Sequence, residues 1–550
     1  MPLPRIPAPL ALGLALASGS PAQAPAEPPA LVVLVSVDQL AAWVFDELRP
    51  HLPAGGGFRR LLDHGVEFGA CAYAHGCTET GPGHATIGTG APAAVHGIVG
   101  NQWFDPASGR IVYCASSPGA APVGGGPADR GPGTLGVPTF GQALKAADPR
   151  SRVVGLSLKD RSAILMAGHG ADAALWFDAQ SGRFVTSTAF AATRPAWLER
   201  FEAARPIARF FGATWDRQGP PGAYAGLVDD RPFEGRDPRG RRTLPQRIDG
   251  GLAAPGPAFH EHLACSPFGN RALLELAQAA IDAYGLGADA VPDLLAVGFS
   301  STDLIGHRYG PGSVEVRDTL LRLDADLAAL LRTLDARVGR GRYAVLLTSD
   351  HGVGPAPEAR LASGLPGGRA VRHATIARSA AEKALRDAYG APPADRERWV
   401  TSISGPWLHL DRAALDARGI DPAEAAARAA AALVGMPSVR SAVATAAPER
   451  IEDPELRALL AATFAAGRGG EVWIVVEPHW LTDPTPTASH GTPWAYDREV
   501  PLLGYGHRLR SGVRIGTPIS PGTAVVLAAA LCGIAPPLGA RDPLPRDALR

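Results

Sequence analysis

LVVLVSVD at residues 31–38 is an unbroken apolar and β-branched run that ends in a carboxylate, Asp38. A strand buried on both faces in the middle of a parallel sheet reads this way. The same unit recurs. DLLAVGFS at 293–300 is followed by Asp303, and YAVLLTSD at 343–350 ends in Asp350. Helical spacing leads into both: Asn270–Tyr284 precedes the first, and Val314–Val338, with Leu320, Leu323, Leu327 and Leu331 along one face, precedes the second. RVVGLSLK at 152–159 is a further apolar strand and ends on Lys159. Helices alternating with strands that end in polar residues predict an α/β fold. It would have a central mixed, largely parallel β-sheet flanked by helices, with inserted cap or α+β lobes. In open sheets of this kind the active site lies beyond the carboxyl ends of the strands.

Outward from these strands the chain of 550 residues is cut by 65 glycines and 52 prolines into short elements and many loops. Phe58–Asp63 reads as a helix, Val66–Ala70 as a strand, and a helix opens at Pro82 after a turn-prone Thr-Gly-Pro-Gly. Residues 30–204 are expected to form the first part of the catalytic core, with a Gly/Pro/Ser-rich surface excursion at 104–135. Residues 205–265 show little periodicity and are expected to be an irregular insertion or cap. Residues 270–369 form the second core part. Residues 370–480 form a smaller α+β lobe, with helices at 375–388 and 422–434 and strands at 406–410, 439–445 and 472–477. Residues 481–550 complete the core and include a helix at 523–532.

The 53 basic residues balance 53 acidic ones and no basic tract occurs, so nothing points to nucleic acid or an anionic membrane surface. A hydrophobic share of 46% and a mean hydropathy of +0.02 are those of a globular protein with a sizeable core. Arg5, the apolar run at 8–18 and Ala22-Gln23-Ala24 have the order of a secretory signal peptide, taken as residues 1–24. The mature chain is then expected in the periplasm or the medium. The best later apolar run, AVVLAAALCGIA at 524–535, falls short of the roughly 18–20 residues of a membrane anchor. Five cysteines, Cys71, Cys77, Cys114, Cys265 and Cys532, have no C-x-x-C spacing, which argues against a thiolate zinc site. One or two disulfides are expected after export, with the 71/77 region and Cys114 as a candidate pairing.

Chemistry is spread along the chain. Asp38, Asp303-x-x-x-His307, Asp350-His351 and His490 supply three carboxylates and three imidazoles, enough for two divalent cations. Each residue alone is more ordinarily a loop or cap residue; their joint placement at successive strand ends is what carries weight. Thr80, in TETGPGHAT at 78–86, places a hydroxyl at a helix N-terminus, where aligned N–H groups favour an anion. Taken alone, a threonine there is more ordinarily a cap.

These stretches together resemble the alkaline phosphatase superfamily, and within it the exported, phosphate-irrepressible alkaline phosphatases with a threonine nucleophile. The resemblance rests on VSVDQL at 35–40, TGPGHATIGTG at 80–90, HGIVGNQWFD at 96–105, SLKDRSA at 157–163, STDLIGHRYGP at 301–311, TSDHG at 348–352 and SHGTPWAYDREVP at 489–501. It implies two zinc ions per chain, one held by Asp38, Thr80, Asp350 and His351 and the other by Asp303, His307 and His490. It further implies that Thr80 attacks phosphorus in line, giving a phosphothreonine that water hydrolyses. Asn101, Lys159 and Arg161 match the family's substrate contacts. Lys159 is one of only three lysines among the 53 basic residues, which suits a need for a compact ammonium there. His84 matches a structural position rather than a ligand. Trp103, Phe104 and Tyr496 read as packing that positions Asn101 and His490, with Asp497 in a supporting place. The implied substrates are small phosphate monoesters, with inorganic phosphate as product, acted on by a monomer.

A phosphodiesterase or nucleotide pyrophosphatase of the same superfamily is the alternative, since it shares the two-metal and threonine machinery. Diester-selective members typically lack the Lys/Arg pair. A sulfatase would need Cys or Ser at position 80. A non-enzymatic, exported metal-binding protein ranks lower, because holding zinc requires no hydroxyl nucleophile.

Overall fold

A computed structural model describes residues 27–483 and 485–550, so the expected signal peptide at 1–24 lies outside the described residues. Its centre is a ten-stranded sheet in the order Val513–Ile515, Val66–Phe68, Leu502–Gly506, Tyr343–Thr348, Leu31–Val37, Asp293–Phe299, Val153–Ser157, Ala173–Asp178, Arg183–Ser187, Pro122–Val123. The run from Tyr343–Thr348 to Ala173–Asp178 is parallel, and the direction reverses on either side of it. The sheet is therefore mixed and largely parallel.

Every residue of Leu31–Val37 is buried. Leu31, Val33, Val35 and Val37 face a core shared with helices Pro267–Tyr284 and Val314–Leu334. Val32 and Leu34 face the opposite core, shared with helices Thr80–Thr89, Asp160–Ala167 and Thr523–Cys532. Two covered faces explain the unbroken apolar run, each such side chain contributing about 1.5–3 kcal/mol of burial. Leu31 pairs with both Asp293 and Tyr343, so the three strands end level. Asp38, the helix Ser301–Tyr309 and the Ser349-Asp350-His351 turn therefore leave one edge side by side.

The helix expected at Pro82 begins at Thr80. First-turn N–H groups have no partner within a helix, so a proline two residues in costs no hydrogen bond. Gly83 lets this helix sit directly on the Asp350 backbone: a Cβ there would lie 1.9 Å from the Asp350 carbonyl oxygen.

A four-stranded antiparallel sheet, ordered Val400–Ser404, Trp407–Leu410, Val472–Val476, Val439–Ala444, is built from the later part of the chain. Val472 and Ile474 face helices His373–Tyr389 and Pro422–Leu433, while Trp473 and Val475 face helix Pro454–Thr463. Strand Val400–Ser404 and helix Pro454–Thr463 were not expected. Residues 205–265, read as irregular, contain an antiparallel pair, Ala213–Trp215 with Gln246–Ile248, and a helix, Pro257–Ala264. Asp318 of the long helix anchors this segment, accepting from Trp215 Nε1 (2.8 Å), Gln218 N (2.6 Å) and the Tyr224 hydroxyl (2.6 Å).

The expectation of disulfides is corrected: all five cysteines are free and buried. Cys71, Cys114 and Cys532 pack into one core and Cys265 into the other, as small apolar side chains. Among the described residues no helix is long and apolar enough to cross a membrane.

Glu315, in the first turn of Val314–Leu334, is fully buried and neither carboxylate oxygen has a donor. Burial pushes its pKa from an ordinary 4.5 up to about 9. The folded state thus holds a proton the unfolded chain has lost. This contribution to stability is complete below 4.5 and disappears as pH rises to about 9. The slope is about 1.4 kcal/mol per pH unit across that window. Glu315→Gln should therefore melt progressively higher than the wild type as pH is raised from 5 to 9, with no further gain above it. Parallel melting curves across that range would contradict this.

Candidate active site

The three strand ends and the loop carrying His490 bring the expected acidic and imidazole residues together. Asp303 and His307 lie one turn apart on Ser301–Tyr309, with Asp303 Oδ1 3.1 Å from His307 Nε2. His490 Nε2 stands 3.3 Å from His307 Nε2 and 3.5 Å from Asp303 Oδ1. These three atoms form a near-equilateral triangle. A tetrahedral zinc about 2.0–2.1 Å from its donors separates them by about 3.3 Å. On the other side, His351 Nε2 lies 3.5 Å from Asp38 Oδ1 and 3.4 Å from Asp350 Oδ2. The His351 and His490 rings stack at 3.5 Å, and donor atoms of Asp303, His351 and His490 also fall within 4.8 Å of one another.

The imidazoles are locked in one tautomer. His307 Nδ1 donates to the Ala488 carbonyl (2.8 Å), His351 Nδ1 to that of Gly352 (3.0 Å) and His490 Nδ1 to that of Thr78 (2.8 Å). A carbonyl only accepts, so each ring donates through Nδ1 and turns Nε2 inward, the arrangement of metal-binding histidines. Burial pushes His351 down to about 3, which keeps it neutral. Both oxygens of Asp38, Oδ2 of Asp350 and Nε2 of His351 are buried without a directed hydrogen bond. Burial, and then the Asp350 carboxylate, push the Asp38 carboxyl well above its usual range. The Asp38 and Asp303 carboxylates share the Lys159 ammonium, and the other inward-facing carboxylate oxygens and imidazole nitrogens are a donor set that fits zinc.

Thr80, first residue of its helix, lies beside this cluster and almost fully buried. Lys159 Nζ is 3.5 Å and Arg161 Nη2 3.4 Å from Thr80 Oγ1. The strand Val153–Ser157 leads to Lys159, the N-cap of helix Asp160–Ala167, and the first turn of that helix carries Arg161, so both cations reach the hydroxyl. Lys159 Nζ also meets Asp303 Oδ2 at 2.5 Å and Asp38 Oδ2 at 2.8 Å, so it bridges carboxylates of both groups. Burial works against its charge, but Asp303 and Asp38 outweigh burial and hold its pKa above the ordinary value. Asn101 Oδ1 accepts from Gly81 N at 2.8 Å, which orients the amide and leaves Nδ2 to donate.

Residues that sequence reasoning did not single out hold these groups in place. Glu79 Oε2 accepts from Asn101 N at 2.6 Å. Tyr113, from the 104–135 excursion, donates to Asp160 at 2.5 Å and stands 3.5 Å from Arg161 Nη1. Arg130 Nε donates to the other Asp160 oxygen at 2.6 Å, and its guanidinium lies 4.2 Å over the Tyr113 ring. Gln39 reaches Asp303 and Asp350. Glu79, Gln39 and Asp160 lie inside or beside the quoted motifs, whereas Tyr113 and Arg130 fall in the 104–135 excursion and carried no signal. His84 Nδ1 lies 2.9 Å from the Thr80 carbonyl and 3.2 Å from Asp350 Oδ2. Trp103 lies under the Arg468 guanidinium (5.0 Å) and Phe104 against His409 (5.3 Å). Tyr496, expected against His490, stacks on His479 at 4.4 Å. Buried Asp497, pushed up to about 8 by burial, accepts from Thr492 Oγ1 at 2.6 Å and so ties down the loop that follows His490.

The parallel strands of the sheet end in this cluster, which contains two adjoining groups of candidate metal ligands. Residues 32–492 match the type I phosphodiesterase / nucleotide pyrophosphatase family, and the chain belongs to that family within the alkaline phosphatase superfamily. It is 32% identical over 494 residues to alkaline phosphatase PhoV of Synechococcus elongatus, covering 88% of this chain and 86% of the relative. It is 31% identical over 490 residues to alkaline phosphatase PafA of Elizabethkingia meningoseptica, covering 88% of each. The crystal structure of wild-type PafA superposes with a TM-score of 0.87 at 28% identity, over 96% of this chain and 100% of that one.

Proposed function

We propose that this chain is a zinc-dependent phosphomonoesterase, exported after removal of residues 1–24, in which Thr80 is the nucleophile. The observation that carries the reading is the convergence of Lys159 and Arg161 on Thr80 Oγ1 beside Asn101. A terminal phosphoryl group offers three non-bridging oxygens to such donors; a diester replaces one of them with an organic group and leaves positive charge unmatched. The relatives named alkaline phosphatases support the same choice.

Asp38, Thr80, Asp350 and His351 would hold one zinc ion and Asp303, His307 and His490 the other. Bound there, the ions would lower the pKa of the attacking hydroxyl and of the hydrolytic water, and offset charge on the departing oxygen. Thr80 Oγ1, its proton passed to solvent, forms the bond to phosphorus as the ester P–O bond breaks, and the leaving oxygen departs with the electron pair and takes a proton from water to become the alcohol. Arg161 and Asn101 Nδ2 bind the equatorial oxygens throughout. Water then attacks the phosphothreonine from the side the alcohol vacated, the Oγ1–P bond breaks, and inorganic phosphate is released.

The test is a parallel measurement of kcat/KM on aryl phosphate monoesters and matched diesters with the zinc-loaded protein. Monoesters should be preferred, and Lys159→Ala should narrow that preference by about 10-fold or more, the loss of a charge-assisted contact. The family's description also names phosphodiesterases and nucleotide pyrophosphatases. A higher kcat/KM on diesters would select that reading instead.

A further inference from the structure

Gln39 follows Asp38 and is 5% exposed, with a φ of 68°, a left-handed backbone that a residue with a Cβ rarely adopts. Such a conformation persists where surrounding contacts over-determine it, and it clusters at functional sites. Here the contacts are specific. The backbone N–H of Gln39 donates to Asp350 Oδ1 at 3.2 Å and its carboxamide Nε2 donates to Asp303 Oδ1 at 2.7 Å. Carboxylates only accept, so the amide end is fixed. The left-handed turn is what lets one residue send its N–H toward one strand end and its side chain toward another.

The partner element makes room for this. Gly306 lies on Ser301–Tyr309 between Asp303 and His307, and a Cβ there would stand 1.9 Å from Gln39 Oε1. Alanine is the better helix former, so helix stability does not account for a glycine in this interior position. Space for the carboxamide does.

Asp303 Oδ1 is also the oxygen that faces His307 Nε2 at 3.1 Å and His490 Nε2 at 3.5 Å. We propose that Gln39 is a positioning residue: it ties one carboxylate of each cation group together and turns the free lone pair of Asp303 Oδ1 toward the Asp303/His307/His490 group, with Gly306 as the space that admits it. The affinity of that group for its cation then depends on a residue that is not a ligand. Hydrogen-bonding partners of metal ligands typically set affinity by about 10–100-fold. This inference rests on the two-cation reading above.

The experiment is calorimetric zinc titration of the chelator-stripped full chain, with zinc content per chain after dialysis, for wild type, Gln39→Gly and Gly306→Ala. Gln39→Gly removes the tether and relaxes the positive φ; Gly306→Ala leaves the tether's chemistry intact and displaces it by a single Cβ. Wild type should bind two zinc ions. Both variants should keep one tight site and weaken the other by about 10–100-fold, while their metal-free forms melt at or above the wild-type temperature. Variants that titrate like a two-zinc wild type would overturn the positioning role. Metal-free variants that melt far below wild type would also overturn it, marking Gln39 as a folding residue. A wild type that binds fewer than two ions would overturn the two-cation reading itself.

Discussion

Thr80→Ala should lower kcat/KM for a phosphate monoester by about 10⁴-fold or more, the usual cost of deleting an enzyme nucleophile. The cations that face Thr80 Oγ1, Lys159 Nζ at 3.5 Å and Arg161 Nη2 at 3.4 Å, remain in place without the hydroxyl. Substrate binding should therefore survive, and the loss should fall on kcat rather than KM. The fold should be indifferent. Thr80 makes no side-chain cap to its helix, whose N-cap is Glu79, so stability should change by no more than about 1 kcal/mol. Thr80→Ser keeps an oxygen at the same place and should retain measurable turnover. Steady-state kinetics with thermal melts on the same samples check both halves. A Thr80→Ala protein within tenfold of wild type would remove Thr80 from the chemistry.

Stripping zinc should be as severe. Without zinc, Nε2 of His307 and Nε2 of His490 sit 3.3 Å apart and Asp38 Oδ1 is buried with no hydrogen-bond donor, the Lys159 ammonium meeting Oδ2. Turnover should fall to background after dialysis against a chelator and return on adding zinc. Magnesium should not restore it, because that ion demands near-octahedral oxygen coordination and the cluster offers three imidazoles. Melting should shift as well, since a ligand at 100 times its Kd adds about 2.7 kcal/mol per site to the folded state. Full activity in the presence of chelator would contradict the assignment of the cluster.

What could be read in the sequence follows from how each signal is written. Leu31–Val37, Asp293–Phe299 and Tyr343–Thr348 are buried throughout and almost wholly apolar because both faces are covered, and a strand of that type announces itself. Leu502–Gly506 was passed over: it is five residues long with two glycines, and what places it is backbone pairing with Tyr343–Thr348. Val400–Ser404 has only its end residues buried and alternates with Ser and Thr, so its signal is weak. The candidate site residues were legible for a related reason. Asp38 and Asp350 stand where an apolar run stops, and Asp303 and His307 share a helix face. The groups that orient them were not. Gln39 acquires its role only because Asp303 and Asp350 end level with it, and Tyr113 only because an excursion that reads as a loop folds back against Asp160. Such roles come from register between distant segments, which leaves no local pattern.

The role of Thr80 is tested most directly by the stereochemistry at phosphorus. With a monoester chiral in its three oxygen isotopes and an alcohol as acceptor in place of water, two successive in-line displacements, the first by Thr80 and the second by the alcohol, each invert the phosphorus centre. The phosphoryl group, recovered as the acceptor's monoester, should show net retention. Net inversion would mean that the acceptor attacks the ester directly, and would contradict Thr80 as nucleophile.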